Sequence, residues 1–323
     1  MLSARDQIIE LIQAGSIPQH KISDALVLAK VTPDQKRWRS FIDSLLLWLG
    51  GLALAFSVVF FIAYNWNEIG RFAKFGLVEV LIVSAVIAHC RLNSSAVTSK
   101  VSLLVASIFL GVLLALYGQT YQTGADSWQL FFNWALLMLP WAIISRFPAT
   151  WIVWIALINV SFFLYYQTFR GAFWFLPFSD TGMLWVAFLF NTLVLVAWEL
   201  FAGIWLWLSE RWAIRLLAIA SAIPLNWLML LVIFRESSQT FLVLPLYGIW
   251  LAAMYFFYRK IRPDLFMLAG CFLSVITVSV SFLGEHLMQN LFPAGFLFLA
   301  IVVIGMGAGS AFWLKKLNQE INS

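Results

Sequence analysis

Ten long apolar runs separated by short polar gaps determine what this chain can fold into. A transmembrane helix needs about 20 apolar residues to cross roughly 30 Å of hydrocarbon at 1.5 Å per residue. Because lipid offers no hydrogen-bond partners, the backbone of each run must satisfy its own polar groups, and runs this long do so as helices. The runs are approximately Leu45–Tyr64, Phe72–Cys90, Val101–Gln119, Gln129–Ser145, Ala149–Phe169, Gly182–Leu208, Ala213–Phe234, Gln239–Tyr258, Asp264–Gly284 and Pro293–Leu314.

The composition agrees with a chain that lies mostly in lipid. Apolar residues make up 63% of the sequence and charged residues 11%, against about 45–50% and 25% in soluble domains. The sequence therefore predicts an all-α, polytopic membrane helical bundle of about ten transmembrane helices, preceded by a short cytoplasmic helical hairpin. We expect an amphipathic segment at 1–40, five membrane helices within 41–169, an outer loop at 170–181, five helices within 182–314 and a cytoplasmic tail at 315–323.

Lysine and arginine are distributed unevenly between the gaps. Cytoplasmic loops carry the excess of these residues, so we expect both termini to be cytoplasmic, in an inner membrane. The net charge of +5 then belongs to the cytoplasmic face, and nucleic acid is not an expected partner. The basic side holds sixteen of the twenty, namely Arg5, Lys21, Lys30, Lys36, Arg37, Arg39, Arg91, Lys100, Arg146, Arg211, Arg215, Arg259, Lys260, Arg262, Lys315 and Lys316, and the other side holds Arg71, Lys74, Arg170 and Arg235.

The motifs of soluble enzymes are missing from the sequence. It contains no Gly-rich phosphate loop with a lysine and no His-Glu-x-x-His. His20, His89 and His286 are far apart in sequence, as are Cys90 and Cys271, which predicts no metal centre, no cofactor and no disulfide. We therefore predict no enzymatic activity and no catalytic residues.

The loops predicted to face outward are poor in Lys and Arg and rich in amide, carboxylate and aromatic groups. Such groups in one shallow layer can bind a polar, neutral or cationic ligand, although interfacial aromatic residues and polar loops explain the same composition. The second loop is the best candidate, because Gly124 suits a tight turn and Asp126 is placed to cap the next helix. The binding candidates are Asn65, Trp66, Glu68, Gln119, Tyr121, Gln122, Asp126 and Trp128, with Trp174, Asp180, Glu285 and His286 in the other outer loops.

Three stretches of the sequence form a distinctive pattern. They read Leu116-Tyr117-Gly118-Gln119-Thr120-Tyr121-Gln122-Thr123-Gly124-Ala125-Asp126-Ser127-Trp128-Gln129-Leu130-Phe131 followed by Trp134, Phe61-Ile62-Ala63-Tyr64-Asn65-Trp66, and Gly15-Ser16-Ile17 between two predicted helices. Together they resemble DUF2157, a family of bacterial integral membrane proteins of unknown function, over roughly residues 1–150. The resemblance implies neighbours of the DUF4401 and GDYXXLXY types, hence a multi-protein assembly. It implies no catalytic residue.

Ionisable groups within the runs need a physical reason, because each costs roughly 2.5–3.5 kcal/mol on insertion scales. Glu199 and Arg215 flank the turn between the sixth and seventh runs, which predicts a structural ion pair. Glu79 has no cation on its helical face one turn away. It is therefore either a neutral, hydrogen-bonded structural residue or a proton-coupling carboxylate.

Asparagines near the middle of three runs have two interpretations. Asn159, Asn191 and Asn226 either bond neighbouring helices together or line a midplane site beside helices that proline interrupts. We favour the first. The prolines concerned are Pro140, Pro224 and Pro245.

A glycine pair in the last run indicates close helix packing. Gly305 and Gly309 form a Gly-x-x-x-Gly motif, which lets another helix approach, either from this chain or from a second copy. Five helices in each half would also place the halves in opposite orientations, which is the inverted-repeat plan of many secondary transporters.

Three functions are compatible with these observations. The first is a non-enzymatic membrane component or scaffold whose outer loops dock a partner protein or envelope ligand. The second is a proton-coupled secondary transporter of a small polar solute, with Glu79 coupling protons and the three asparagines lining the path. The third is an intramembrane enzyme acting on lipid-linked substrates, which requires Glu68, Asp126 or Glu285 to converge.

Overall fold

The structure, a computed structural model, describes the chain except residues 1–7, 9–10, 13, 30–34, 65–69, 94–95, 170–180, 236–239, 289–293 and 323, together with the side chains of some further helical residues. Within the described residues there are eleven α-helices and no β-strand. The helices are α1 Ile22–Leu28, α2 Gln35–Tyr64, α3 Arg71–Arg91, α4 Val97–Tyr121, α5 Ser127–Ser145, α6 Pro148–Phe169, α7 Gly182–Ala202, α8 Arg211–Arg235, α9 Thr240–Phe256, α10 Leu265–Met288 and α11 Ala294–Asn322.

Nine of the described helices, α3 to α11, are long and apolar enough to cross a membrane. The predicted all-α, polytopic helical bundle is confirmed. The first apolar run lies in α2, a helix of 30 residues; several of its side chains are outside the described part of the chain, so its role as a tenth span stays a prediction. The sixth run was predicted too long, since α7 ends at Ala202 and a separate helical turn follows at Leu206–Leu208.

The chain divides into two compact units. The amino-terminal unit comprises Pro33–Phe178 and Ala202–Ala213, and the carboxy-terminal unit comprises Met1–Thr32, Ser179–Phe201 and Ile214–Ser323. The inverted-repeat relation between two halves stays a prediction.

The predicted cytoplasmic leader contains a helical stop and one short helix. Gly15 has a φ of +70°, in the left-handed region that favours glycine and commonly ends a helix. Its backbone N–H donates to the carbonyl of Ile12 at 3.1 Å. The predicted helix start at Thr32–Pro33 lies outside the described residues.

Neighbouring helices of the amino-terminal unit pack as pairs through apolar side chains. Val78 of α3 forms a buried cluster with Phe109 and Leu116 of α4. The two helices are also tied at their connected ends, because His89 Nδ1 lies 2.9 Å from both the hydroxyl and the carbonyl oxygen of Ser99. Because the two helices pack along their length, the start of α3 also lies beside the end of α4. The loop between α4 and α5 begins at this end.

Two tryptophans join α4, α5 and α6. Trp134 of α5 donates through Nε1 to the carbonyl of Ser107 on α4 at 2.8 Å. Its ring lies so close to Gly111 that a Cβ there would be 2.4 Å from the ring. Trp154 of α6 likewise donates to the carbonyl of Ala135 on α5 at 3.0 Å. Each indole therefore supplies apolar surface and a hydrogen bond between helices.

The carboxy-terminal unit contains a polar chain between α7, α8 and α9. The hydroxyls of Thr192 and Ser221 lie 2.6 Å apart. Trp250 Nε1 donates to the same Ser221 hydroxyl at 3.3 Å. Because Ser221 is fully buried, these bonds satisfy a polar group that the apolar interior would otherwise penalise.

A second polar chain connects α8, α9 and α10. Ser274 donates to the Asn226 carboxamide oxygen at 2.7 Å, and its hydroxyl lies 2.8 Å from the Tyr247 hydroxyl. Hydrogen bonds of this kind help to hold membrane helices together, because packing apolar side chains against each other brings no hydrophobic gain when the surrounding lipid is equally apolar.

Candidate functional site

The loop between α4 and α5 forms a defined turn. Gln122 follows the last residue of α4 with φ 44° and ψ 50°, a left-handed conformation that costs a non-glycine residue roughly 1–2 kcal/mol. Gly124 has a φ of +64°, which glycine adopts without this cost, as predicted. The turn therefore directs the chain back into α5 over five residues, 122 to 126.

Exposed aromatic and amide side chains surround this turn. The rings of Tyr117 and Tyr121 lie 4.9 Å apart, and the ring of Phe75 on α3 lies 6.1 Å from Tyr121. Tyr117 and Tyr121 are 53% and 50% exposed, and Gln119 and Gln122 are also exposed. We call Tyr117, Gln119, Tyr121, Gln122 and the following Asp126 the loop patch.

Asp126 occupies the N-cap position of α5, but its side chain makes no capping hydrogen bond. The predicted side-chain cap is therefore wrong; the first bond of the helix comes instead from the backbone, where Gln129 donates to the Asp126 carbonyl at 3.0 Å. No hydrogen bond or ion pair joins the Asp126 carboxylate to another residue in the described ranges. This leaves an acidic group available within the loop patch.

Trp128 lies at the start of α5, next to the loop patch in sequence, and packs against α6. Its ring lies 4.9 Å from Tyr165 at an interplanar angle of 83°, an edge-on contact, and 6.2 Å from Phe169. Its carbonyl accepts a hydrogen bond from Ser161 at 3.2 Å. The structure thus places Trp128, a predicted binding residue, between α5 and α6 as a packing residue. Its buried indole N–H has no hydrogen-bond partner among the described residues.

The remaining predicted loop residues are either outside the described part of the chain or belong to the other compact unit. Asn65, Trp66, Glu68, Trp174 and Asp180 lie outside the described residues. Glu285 and His286 belong to α10 in the carboxy-terminal unit, where His286 Nδ1 lies 3.0 Å from the carbonyl of Phe282. The convergence of Glu68, Asp126 and Glu285 that an enzyme would need stays a prediction.

Glu79 lies on the exposed face of α3, among side chains such as Val80 and Val83 that are 64% and 55% exposed. No hydrogen bond or ion pair connects it to another residue that the structure describes. The groove of about 760 Å³ between α2 and α3 is lined by Ser57, Phe61, Gly76, Leu77, Val80 and Leu81. Glu79 does not line it.

The predicted ion pair between Glu199 and Arg215 is wrong. Arg262 Nη1 donates to Glu199 Oε2 at 2.6 Å, and Tyr258 donates to Glu199 Oε1 at 2.8 Å. Arg215 instead donates through Nε and Nη2 to the two carboxylate oxygens of Asp264 at 3.3 and 3.2 Å. Arg262 and Asp264 both belong to the connection between α9 and α10. This connection therefore supplies a base to the acid near the end of α7 and an acid to the base near the start of α8.

This connection has an unusual backbone that explains the exchange of partners. A π-helical turn, Phe257–Ile261, extends α9 and changes the direction of the side chains that follow. Asp264 then begins α10, because its Oδ1 accepts the backbone N–H of Phe266 at 3.0 Å. The same carboxylate therefore caps a helix and pairs with Arg215.

The three asparagines all donate hydrogen bonds within their own helices. The Nδ2 atoms of Asn159, Asn191 and Asn226 donate to the carbonyls four residues earlier at 2.9, 2.8 and 2.9 Å. Asn226 also bonds α8 to α10 through Ser274. At this position the structure agrees with the interhelical role that we favoured.

Among the residues with described positions, no group of three or more His, Cys, Asp or Glu side chains is arranged to hold a metal ion.

Residues 10–151 match the family model DUF2157, which is described as a predicted membrane protein. The matched range contains α1 to α5, the loop patch and the first residues of α6. No curated protein and no solved structure matches the chain.

Proposed function

We propose that this chain, whose residues 10–151 match the DUF2157 family of predicted membrane proteins, is a non-enzymatic component of an inner-membrane assembly that docks a partner protein through the loop patch. In this proposal both termini are cytoplasmic and the loop patch faces outward. The bias of Lys and Arg between alternate gaps supports that orientation. The partners that we expect are the DUF4401-type and GDYXXLXY-type membrane neighbours.

The observation that carries the proposal is the defined, exposed geometry of the loop patch. Tyr117 and Tyr121 are each about half exposed. Tyrosine is among the residues that contribute most to binding when a partner covers them, so this exposed surface suits a protein contact. Gln122 is held in a left-handed conformation beside them. Conformational strain of this kind persists where the surrounding structure imposes it, and it is concentrated at functional sites.

The charge of the loop patch indicates the chemistry of the partner. The Asp126 carboxylate has no bonding partner among the described residues, and the sequence contains no Lys or Arg between Lys100 and Arg146. The positive end of the α5 dipole only partly compensates one carboxylate. A partner segment with a lysine, an arginine or several N–H donors would therefore complement this surface.

The transporter hypothesis has less support in the described residues. Glu79, its proton-coupling candidate, faces outward from α3 and does not line the groove beside it. Asn226, one of the three path candidates, has its carboxamide engaged by Ala222 and Ser274. The Asn226 carboxamide therefore bonds two helices together, and neither Glu79 nor Asn226 lines a described cavity.

The last membrane helix offers a second contact for an assembly. A Cβ added at Gly305 or Gly309 would meet no described atom within 4 Å. No described helix of this chain therefore occupies the Gly-x-x-x-Gly face, which supports its use by a second copy.

A photo-crosslinking experiment tests the proposal in intact cells. A photoreactive phenylalanine analogue replaces Tyr121, and in a matched control it replaces Phe72. Phe72 is 82% exposed and lies at the same end of α3 as Phe75, outside the loop patch. We expect a discrete protein adduct from position 121 and only lipid adducts from position 72.

Two outcomes would contradict the docking function. The first is recovery of only lipid and self adducts from position 121. The second is proton-linked solute uptake by the purified, reconstituted protein that Glu79→Gln abolishes without lowering expression, which would establish transport instead.

A further inference from the structure

A cavity of about 390 Å³ lies within the carboxy-terminal unit, between α7 and the end of α9 with its π-helical turn. Its walls are mostly apolar. They include Leu195, Val196 and Leu200 from α7, and Ala253, Met254 and Phe257 from the opposite side.

The cavity opens sideways. Val196 and Leu200 on one wall are 50% and 69% exposed, and Ile261 on the other is 57% exposed. Each of these residues belongs to a helix or turn in a segment that is long and apolar enough to cross a membrane, which favours an opening toward hydrocarbon rather than water. An apolar molecule can enter from the bilayer without crossing an aqueous phase.

One end of the cavity is polar and charged. Glu199, Tyr258 and Arg262 line it, and the Glu199 side chain is only 7% exposed whereas that of Arg262 is 32% exposed. Arg262 uses only Nη1 to bond Glu199. A guanidinium carries five N–H donors, and no other described side chain bonds those of Arg262, which leaves donors for a ligand at the mouth of the cavity.

The surroundings of this polar end are positively charged. The connection between α9 and α10 and the side chains that form ion pairs with it carry four basic groups and two acidic ones, an excess of two positive charges. They are Arg215, Arg259, Lys260 and Arg262 against Glu199 and Asp264.

We propose that this cavity binds one acyl chain of an anionic phospholipid, with the lipid phosphate bonded to Arg262. Arginine matches phosphate with parallel N–H donors, and basic pockets between membrane helices are suited to anionic headgroups. The apolar walls take the chain, and the π-helical turn sets Arg262 at the mouth. The assignment does not depend on the docking function of the loop patch.

Lipid binding to the full-length protein in detergent tests this assignment. Native mass spectrometry measures retention of phosphatidylglycerol and of phosphatidylcholine with identical acyl chains. The variant Ala253→Leu fills the cavity, and Ala252→Leu is its matched control, because both alanines are exposed on α9 but only Ala253 lines the cavity. We expect Ala253→Leu to weaken phosphatidylglycerol binding about tenfold, and Ala252→Leu to leave it unchanged within about twofold.

A second variant tests the headgroup. Arg262→Lys keeps a cation opposite Glu199 but removes the planar donor set. We expect it to reduce the preference for phosphatidylglycerol over phosphatidylcholine about threefold or more, with little effect on phosphatidylcholine binding.

Three results would overturn the proposal. Equal binding by the Ala253→Leu and Ala252→Leu variants would show that lipid is held elsewhere. Equal affinity of the wild-type protein for the two lipids would exclude a phosphate contact. Displacement of the lipid by millimolar inorganic phosphate would show that the headgroup alone accounts for binding. Thermal unfolding of each variant confirms that all were measured as folded protein.

Discussion

At the scale of single residues, the tight contact between Gly111 and Trp134 carries the clearest physical consequence. The indole cannot move away easily, because its N–H is bonded to the carbonyl of Ser107 at 2.8 Å. A side chain at position 111 would therefore meet a ring whose position is held by this hydrogen bond. Overpacking of this kind forces neighbouring side chains or the backbone to shift, at a cost in stability.

We predict that Gly111→Ala destabilises the protein by about 1–3 kcal/mol, since the new Cβ would lie 2.4 Å from the Trp134 ring. Gly118→Ala is the matched control in the same helix, because a Cβ there meets nothing within 4 Å. It should be neutral or slightly stabilising, as alanine is the better helix former. Thermal unfolding in detergent measures both changes. Equal melting temperatures for the two variants would contradict the role given to Gly111.

Residue-level prediction from sequence worked where the backbone alone decides the conformation. Gly124 could be placed in a turn because few other residues adopt a positive φ at no cost. The partner of Asp126 could not be predicted, because a side chain at an N-cap position can bond the helix or remain available, and its surroundings decide which.

At the scale of elements, the connection between α9 and α10 organises the ends of two other helices. It supplies Tyr258 and Arg262 to Glu199 on α7, and Asp264 to Arg215 on α8. A buried acid of this kind depends strongly on its cation, because removal of one partner leaves an uncompensated charge in an apolar environment.

We predict that Arg262→Met destabilises the protein by about 2–3 kcal/mol, at the low end for a broken buried pair because the Arg262 side chain is 32% exposed. The double variant Glu199→Gln with Arg262→Met should recover at least half of that loss, since no charge is then left unpaired. Unfolding by SDS in mixed micelles compares the two. If the double variant proves as unstable as the single one, the ion pair does not explain the loss.

The membrane helices and the ion pairs differ in how far sequence could anticipate them. An apolar run contains its own evidence, because length and hydropathy alone decide whether lipid can hold it. Glu199 and Arg262 are 63 residues apart, and their contact depends on a π-helical turn that no local pattern indicates. The nearer Arg215 was therefore the more obvious partner, and the wrong one.

At the scale of the whole molecule, the orientation in the membrane determines what each face can do. Cys90, which is exposed near the end of α3, lies on the side predicted to be cytoplasmic. The turn between α4 and α5 lies at the opposite ends of α3 and α4. A membrane-impermeant thiol reagent can distinguish these two positions.

We predict that such a maleimide fails to label Cys90 in intact cells and labels it in inverted vesicles. Thr123→Cys, in a chain that also carries Cys90→Ser and Cys271→Ala, should show the reverse pattern because Thr123 is exposed in the turn. In the unaltered chain Cys271 is buried and should remain unlabelled in both preparations. Labelling of Cys90 from outside would reverse the topology and remove the outward-facing loop patch.

The pair formed by Glu199 and Arg262 also imposes an order on how the protein is made. The arginine is translated 63 residues after the glutamate, which at roughly 5–20 residues per second is a delay of roughly 3–13 s. During that interval the ribosome produces all of α8 and all of α9, and Glu199 near the end of α7 is without its Arg262 partner. The bond between α7 and the segment that follows α9 can therefore form only after two further helices have been synthesised.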